Sequence, residues 1–151
     1  MPADYFLAPI LSYLGLLAGI ILVLMSPEEQ KPGKRYFTLL KKILLFLSIF
    51  VFLFFIGINT ILLAFLAVLL ALLLSWEKMP VKNDMLAYLI FGIIIAMSYA
   101  SQQYFMIQSV IVFIYGLPAS SFAFDARKKN YLGMFGKNAV FFIPVIIIYL
   151  L

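Results

Sequence analysis

Residues 43–76 read ILLFLSIFVFLFFIGINTILLAFLAVLLALLLSW and hold no charged side chain. As one helix the stretch would run about 50 Å at about 1.5 Å per residue, well past a hydrocarbon core of about 30 Å. A soluble domain of this size has no interior large enough to hide it, so the sequence is that of a membrane protein. The middle of the stretch, Gly57-Ile58-Asn59-Thr60, supplies a break. Glycine tolerates positive φ, and Asn followed by Thr makes a good helix N-cap. Two spans follow, about 38–56 and 60–76, each near the short end of what crosses a bilayer. The alternative is a single long tilted helix with Asn59 facing lipid. Lys41 and Lys42 open the first of the two spans, where their methylene stems let the ammonium groups snorkel to the headgroups.

The composition agrees. Of 151 residues, 66% are hydrophobic and 11% charged, against about 45–50% and about 25% in soluble domains. Spans consume the length, leaving one integral membrane domain. Cysteine and histidine are both absent. Their absence excludes disulfides, thiolate or imidazole metal sites, and the commonest nucleophile and general base. The net charge of +5 is explained by membrane orientation and anionic lipid, without nucleic acid as a partner.

Outward from the central stretch, the apolar runs predict an all-α polytopic bundle of six transmembrane helices. The spans are about 5–25, 38–56, 60–76, 85–100, 104–124 and 131–151. The count drops to five if the last segment is re-entrant. No Lys or Arg precedes Lys31, so the first run lacks the basic start of a secretory signal and reads as a retained span. Between the first two spans, Ser26-Pro27-Glu28-Glu29 has the form of a capping box, and Pro32-Gly33 is expected to end that short turn. The polar break after the fourth span is Ser98 to Tyr104.

Charge sets the orientation. The eleven Lys and Arg residues fall in three groups: Lys31, Lys34, Arg35, Lys41 and Lys42; Lys78 and Lys82; Arg127, Lys128, Lys129 and Lys137. Six spans with both termini outside put every group in the cytoplasm and leave the outer connections uncharged. One long helix over 43–76 would split the groups across the membrane, against the positive-inside rule. The expected location is the cell membrane. Lys34, Arg35, Arg127, Lys128 and Lys129 are the candidate contacts to anionic headgroups.

Small residues mark packing seams. Gly15 and Gly19 form a GxxxG, and Gly92, Ala96 and Ala100 form a ladder at four-residue spacing; either lets two backbones approach closely in lipid. The seams are candidates for contact within the chain, with a second copy, or with a membrane-protein partner. Gly116 and Pro118 mark a candidate break in the fifth span, because proline removes a donor and clashes with the carbonyl four residues back. The carboxylates Glu28, Glu29, Glu77, Asp84 and Asp125 fall at span ends. The sequence therefore places no ionisable residue mid-membrane, which weighs against an ion-coupled transporter. No cofactor or metal is expected. Three functional classes remain: a non-catalytic membrane subunit or packing partner, an uncoupled carrier or channel using Gln102, Gln103, Gln108, Ser109 and Asn138, and a headgroup enzyme with Mg²⁺ held by Asp84 and Asp125.

Overall fold

Helix ends, more than helix content, shape this molecule. The computed structural model describes residues 4–26, 28, 30–75, 84–123 and 131–150, which are helical apart from short connections, with no strand among them. The helices are α1 (Asp4–Tyr13), α2 (Gly15–Met25), α3 (Gln30–Phe55), α4 (Thr60–Ser75), α5 (Asp84–Ser98), α6 (Gln102–Ala123), α7 (Tyr131–Asn138) and α8 (Phe142–Leu150), with a 3₁₀ turn at Ala139–Phe141. Three are long and apolar enough to cross a membrane: Leu7–Met25, Arg35–Phe55 and Gln102–Ser121. Shorter apolar helices cover Thr60–Leu72, Asp84–Ser98 and Phe135–Ile148.

α1 and α2 are nearly one helix. Pro9 lies inside α1 and cannot donate to the preceding turn. Leu14 between them still donates to Ile10 O at 3.0 Å and Leu11 O at 3.1 Å, so the ladder tightens without opening. α3 begins at Gln30 and passes through Pro32 and Gly33. The expected end of a short turn there is corrected. Proline is tolerated in a first helical turn because its missing N–H would have had no intrahelical partner. The rest of the expected capping box, at Pro27 and Glu29, lies outside the described residues.

α3 ends at Phe55, and Gly57 turns the chain with φ +74°. Asn59 then caps α4: its Oδ1 accepts from Ile61 N–H at 3.0 Å and its carbonyl from Leu63 N–H at 2.8 Å. At the other polar break, Ser101 donates back to Ser98 O at 3.0 Å and accepts the first bond of α6 from Phe105 N–H. α6 continues through Gly116 and Pro118 to Ala123 without interruption. The expected break is absent. A proline's lost bond does not end a helix held on both sides by packing. In the last segment the tightening comes one turn ahead of Pro144, whose ring removes the donor to Val140 O. Phe142 N–H reaches back to both Ala139 O and Val140 O.

α6 is the hub: 56% of Gln102–Ser121 is buried, against 22% of Arg35–Phe55. Contacts along it fix the helix directions. Gly15 meets Phe113 while Gly19, four residues on, meets Leu117, so α2 and α6 run parallel. Tyr88 and Phe91 pack edge-to-face against Tyr115 while Tyr99 packs edge-to-face against Phe105, so α5 and α6 are antiparallel. Lys41 faces Tyr115 and Ser48 faces Gln108, so α3 is antiparallel to α6 as well. Tyr13 ties α1 to α7, donating to Phe135 O at 2.5 Å. The outer surface is apolar: Leu11, Leu17, Ile21, Phe54, Ile61, Phe65, Val68 and Ile147 are all exposed.

Candidate functional site

Two polar layers lie in the interior where α6 meets α3 and α5. Lys41 lies on α3 four residues from Leu45, the midpoint of the apolar helix Arg35–Phe55. It is 4% exposed, and its ammonium pairs with the carboxylate of Asp84 at the start of α5. Tyr115 of α6 donates from its hydroxyl to the same carboxylate oxygen at 3.3 Å, and the Lys41 ammonium lies 5.8 Å from the Tyr115 ring centroid. One carboxylate thus joins three helices. Its position at a helix N-terminus adds the favourable end of the α5 dipole. Rings from Tyr13, Tyr88, Phe91 and Phe141 close around this layer.

The second layer lies seven residues further along α3 and seven back along α6, or about 10 Å away at about 1.5 Å per residue. Ser48 donates from its hydroxyl to Gln108 Oε1 at 2.6 Å, and Gln108 Nε2 donates to the Ser48 carbonyl at 3.0 Å. Gln108 is fully buried and both ends of its amide are engaged.

Lys41 is the residue that sequence reasoning misplaced. It does not reach outward along its stem; it turns inward, where the carboxylate at the start of α5 pairs with its ammonium. The premise that no ionisable residue lies inside the bundle is corrected with it. A signal was present: Lys41 and Ser48 share a face of α3, Gln108 and Tyr115 share a face of α6, and both pairs have the same seven-residue spacing.

The small-residue seams are placed as follows. A Cβ on Gly15 would lie 2.1 Å from Phe113 O, and one on Gly19 would lie 2.6 Å from Leu117 O, so both glycines carry α2 directly onto the α6 backbone. Gly116 answers from the other side, where a Cβ would lie 2.4 Å from the Gly15 carbonyl carbon. Gly92 packs against the backbone at Phe141, and Ala96 is buried. Ala100 is exposed beyond the end of α5, so the ladder stops at Ala96. Asn138 is buried; Gln102 and Gln103 are exposed. Of the candidate headgroup contacts, Arg35 is exposed and Lys34 lies on α3. Arg127, Lys128 and Lys129 lie outside the described residues, as does Asp125. Among the described residues no three carboxylates, cysteines or histidines gather as metal ligands would. Asp84, proposed as half of a Mg²⁺ site, is taken by Lys41 and Tyr115.

Comparison with protein-family models, with curated proteins and with solved structures found no match.

Proposed function

We propose that this chain is a six-span, non-catalytic membrane protein that serves as a subunit or packing partner, with both termini outside and the basic loops in the cytoplasm. The observation that carries this proposal is the reciprocal bonding of Ser48 and Gln108. The side chain best suited to line a solute path is spent on holding two helices together. Asp84 is likewise spent on Lys41 and Tyr115. The helix directions support six alternating crossings: α2 and α6 run one way, α3 and α5 the other. With three apolar helices long enough to cross, the shorter ones at Thr60–Leu72, Asp84–Ser98 and Phe135–Ile148 would complete the set.

The partner face is α4. Its Ile61, Phe65, Val68 and Leu72 are exposed, and Leu63 is its one buried large residue among those described. The GxxxG of α2 is consumed within the chain and is not available to a partner. The chain has no cysteine, so single cysteines introduced as Phe65→Cys and Val68→Cys give clean cross-linking in native membranes. A cross-linked pair through α4 is the expected result. A monomer in mild detergent, with no cross-link from any α4 position, refutes the assembly role.

A second reading, a small carrier, gains from one observation. Lys41 lies about 6 Å along the axis from the centre of its apolar helix at about 1.5 Å per residue, inside a hydrocarbon half-thickness of about 15 Å. An ionisable pair at such depth marks transport paths in many membrane proteins. Solute flux in reconstituted vesicles that collapses with Asp84→Asn, in protein that remains folded, would favour the carrier over the subunit.

A further inference from the structure

Three buried side-chain oxygens have no hydrogen-bond partner among the described residues: Tyr88 Oη, Ser98 Oγ and Ser109 Oγ. The two serines have a remedy in their own helices. A serine hydroxyl rotates onto the carbonyl four residues back, as Ser12 does to Ala8 O at 2.7 Å, Ser120 to Gly116 O at 2.8 Å and Ser121 to Leu117 O at 2.8 Å. A tyrosine has none, because its hydroxyl stands at the end of a rigid ring and cannot bend back to its own helix. Tyr88 is fully buried and walled by the rings of Tyr13, Phe91, Tyr115 and Phe141. Buried hydroxyls are bonded in folded proteins, and a lone one calls for a partner beyond the described residues.

The position of Tyr88 says what that partner is. Asp84 and Tyr88 are four residues apart on α5 and share a face, and helical side chains lean toward the N-terminus. The phenol is therefore carried back toward the turn that holds Asp84. That carboxylate receives Lys41 and Tyr115 on one oxygen, Oδ1. A carboxylate has about four lone-pair sites, so it can take a further donor. The missing partner must accept from Tyr88 and donate to Asp84, must be neutral beside an already matched ion pair, and must fit inside a ring of aromatics. We infer that Tyr88 and Asp84 hold a single buried water, or the hydroxyl of a comparably small neutral solute, bridging Tyr88 Oη to the Asp84 carboxylate. Two to four polar groups suffice to keep such a water in a protein interior. The bridge gives the ion pair an exchangeable proton inside the bundle and makes Tyr88 a hydration ligand rather than a filler of the core.

The test uses the full chain in lipid vesicles moved from H₂O to D₂O, with no other solute present. The infrared difference between the native protein and Tyr88→Phe isolates the Tyr88 C–O band. Exchange of the Tyr88 hydroxyl within minutes, together with a lower melting temperature for Tyr88→Phe, is the expected result. A Tyr88 hydroxyl still protonated after hours overturns the proposal. So does a Tyr88→Phe protein that melts at or above the native temperature, since deleting an idle buried hydroxyl would relieve a cost. Repeating the exchange with methanol in the buffer separates the two occupants: a shifted band reports a site that admits small alcohols, and an unchanged one reports water.

Discussion

Substituting Gly15 by alanine forces a collision between two backbones. The new Cβ would stand 2.1 Å from Phe113 O, 2.8 Å from its carbonyl carbon and 2.9 Å from its Cα, where ordinary contact begins at 3.4 Å. None of these atoms belongs to a flexible side chain, so α2 must back away from α6 by about 1.3 Å, the difference between 3.4 and 2.1 Å. A gap of about 0.5–1 Å already forfeits a quarter to a half of each dispersion contact on the seam, and overpacking itself costs about 1–3 kcal/mol. Gly15→Ala should therefore destabilise by about 3 kcal/mol. Gly116→Ala strikes the same contact from α6, so the double variant should cost about 1 kcal/mol less than the two singles together. Gly136→Ala is the control. It lies within α7 with nothing within 4 Å of a new Cβ, and should be neutral or stabilising by up to about 1 kcal/mol. The assay is reversible unfolding in mixed micelles, titrated with a denaturing detergent and followed by near-ultraviolet circular dichroism. A Gly15→Ala protein within about 0.5 kcal/mol of native, the range of an ordinary surface substitution, would mean that α2 and α6 do not meet through that glycine.

Lys41→Met leaves Asp84 without its cation and should cost about 3 kcal/mol in the same assay, with Lys41→Met/Asp84→Leu recovering most of the loss because no unpaired charge stays behind. Equal losses in the single and double variants would show that the charge pair is not what matters there. Gln108→Leu should cost only about 1 kcal/mol, since hydrogen bonds between membrane helices are individually weak and Ser48 can turn to its own helix; a loss above about 3 kcal/mol would point to a larger polar network than the two-residue layer. Single cysteines at Asn59 and Gln103, both exposed, should react with an impermeant maleimide added outside intact cells, while one at Lys137 should not. The reverse pattern would invert the proposed orientation.

Local features were legible before the fold was known. The turn at Gly57 to Asn59 could be read because it is chemical: a residue free to take φ +74° followed by a side chain able to cap. The close approach at Gly15 was legible as a type of contact, since only small residues let helices touch by their backbones. Its partner was not, because which helix fills a groove depends on the arrangement of all of them. Proline misled twice for one reason. Pro32 sits in a first turn, which has no bond to lose, and Pro118 removes one from a helix that continues to Ala123 all the same.

Lys41 carries the deeper lesson about charge in an apolar chain. By sequence it is one of five cations flanking a span, indistinguishable from Lys42 beside it, and the charge count treats both as orientation signals. One residue of offset on a helix is a rotation of about 100°. It turns Lys41 onto the face shared with Ser48, toward α5 and α6, and leaves Lys42 half-exposed. A lysine on the outer face reaches water along its stem; one on the inner face must find an anion or stay unpaired at high cost. Asp84 meets that need from the start of another helix, and the tyrosine hydroxyl completes the contact. The same pair that orients nothing by itself therefore fixes how α3, α5 and α6 are rotated about their axes. Such a registry role is the best-attested use of a buried ion pair. It gives a bundle with so many interchangeable apolar side chains a use for a matched pair of charges inside it.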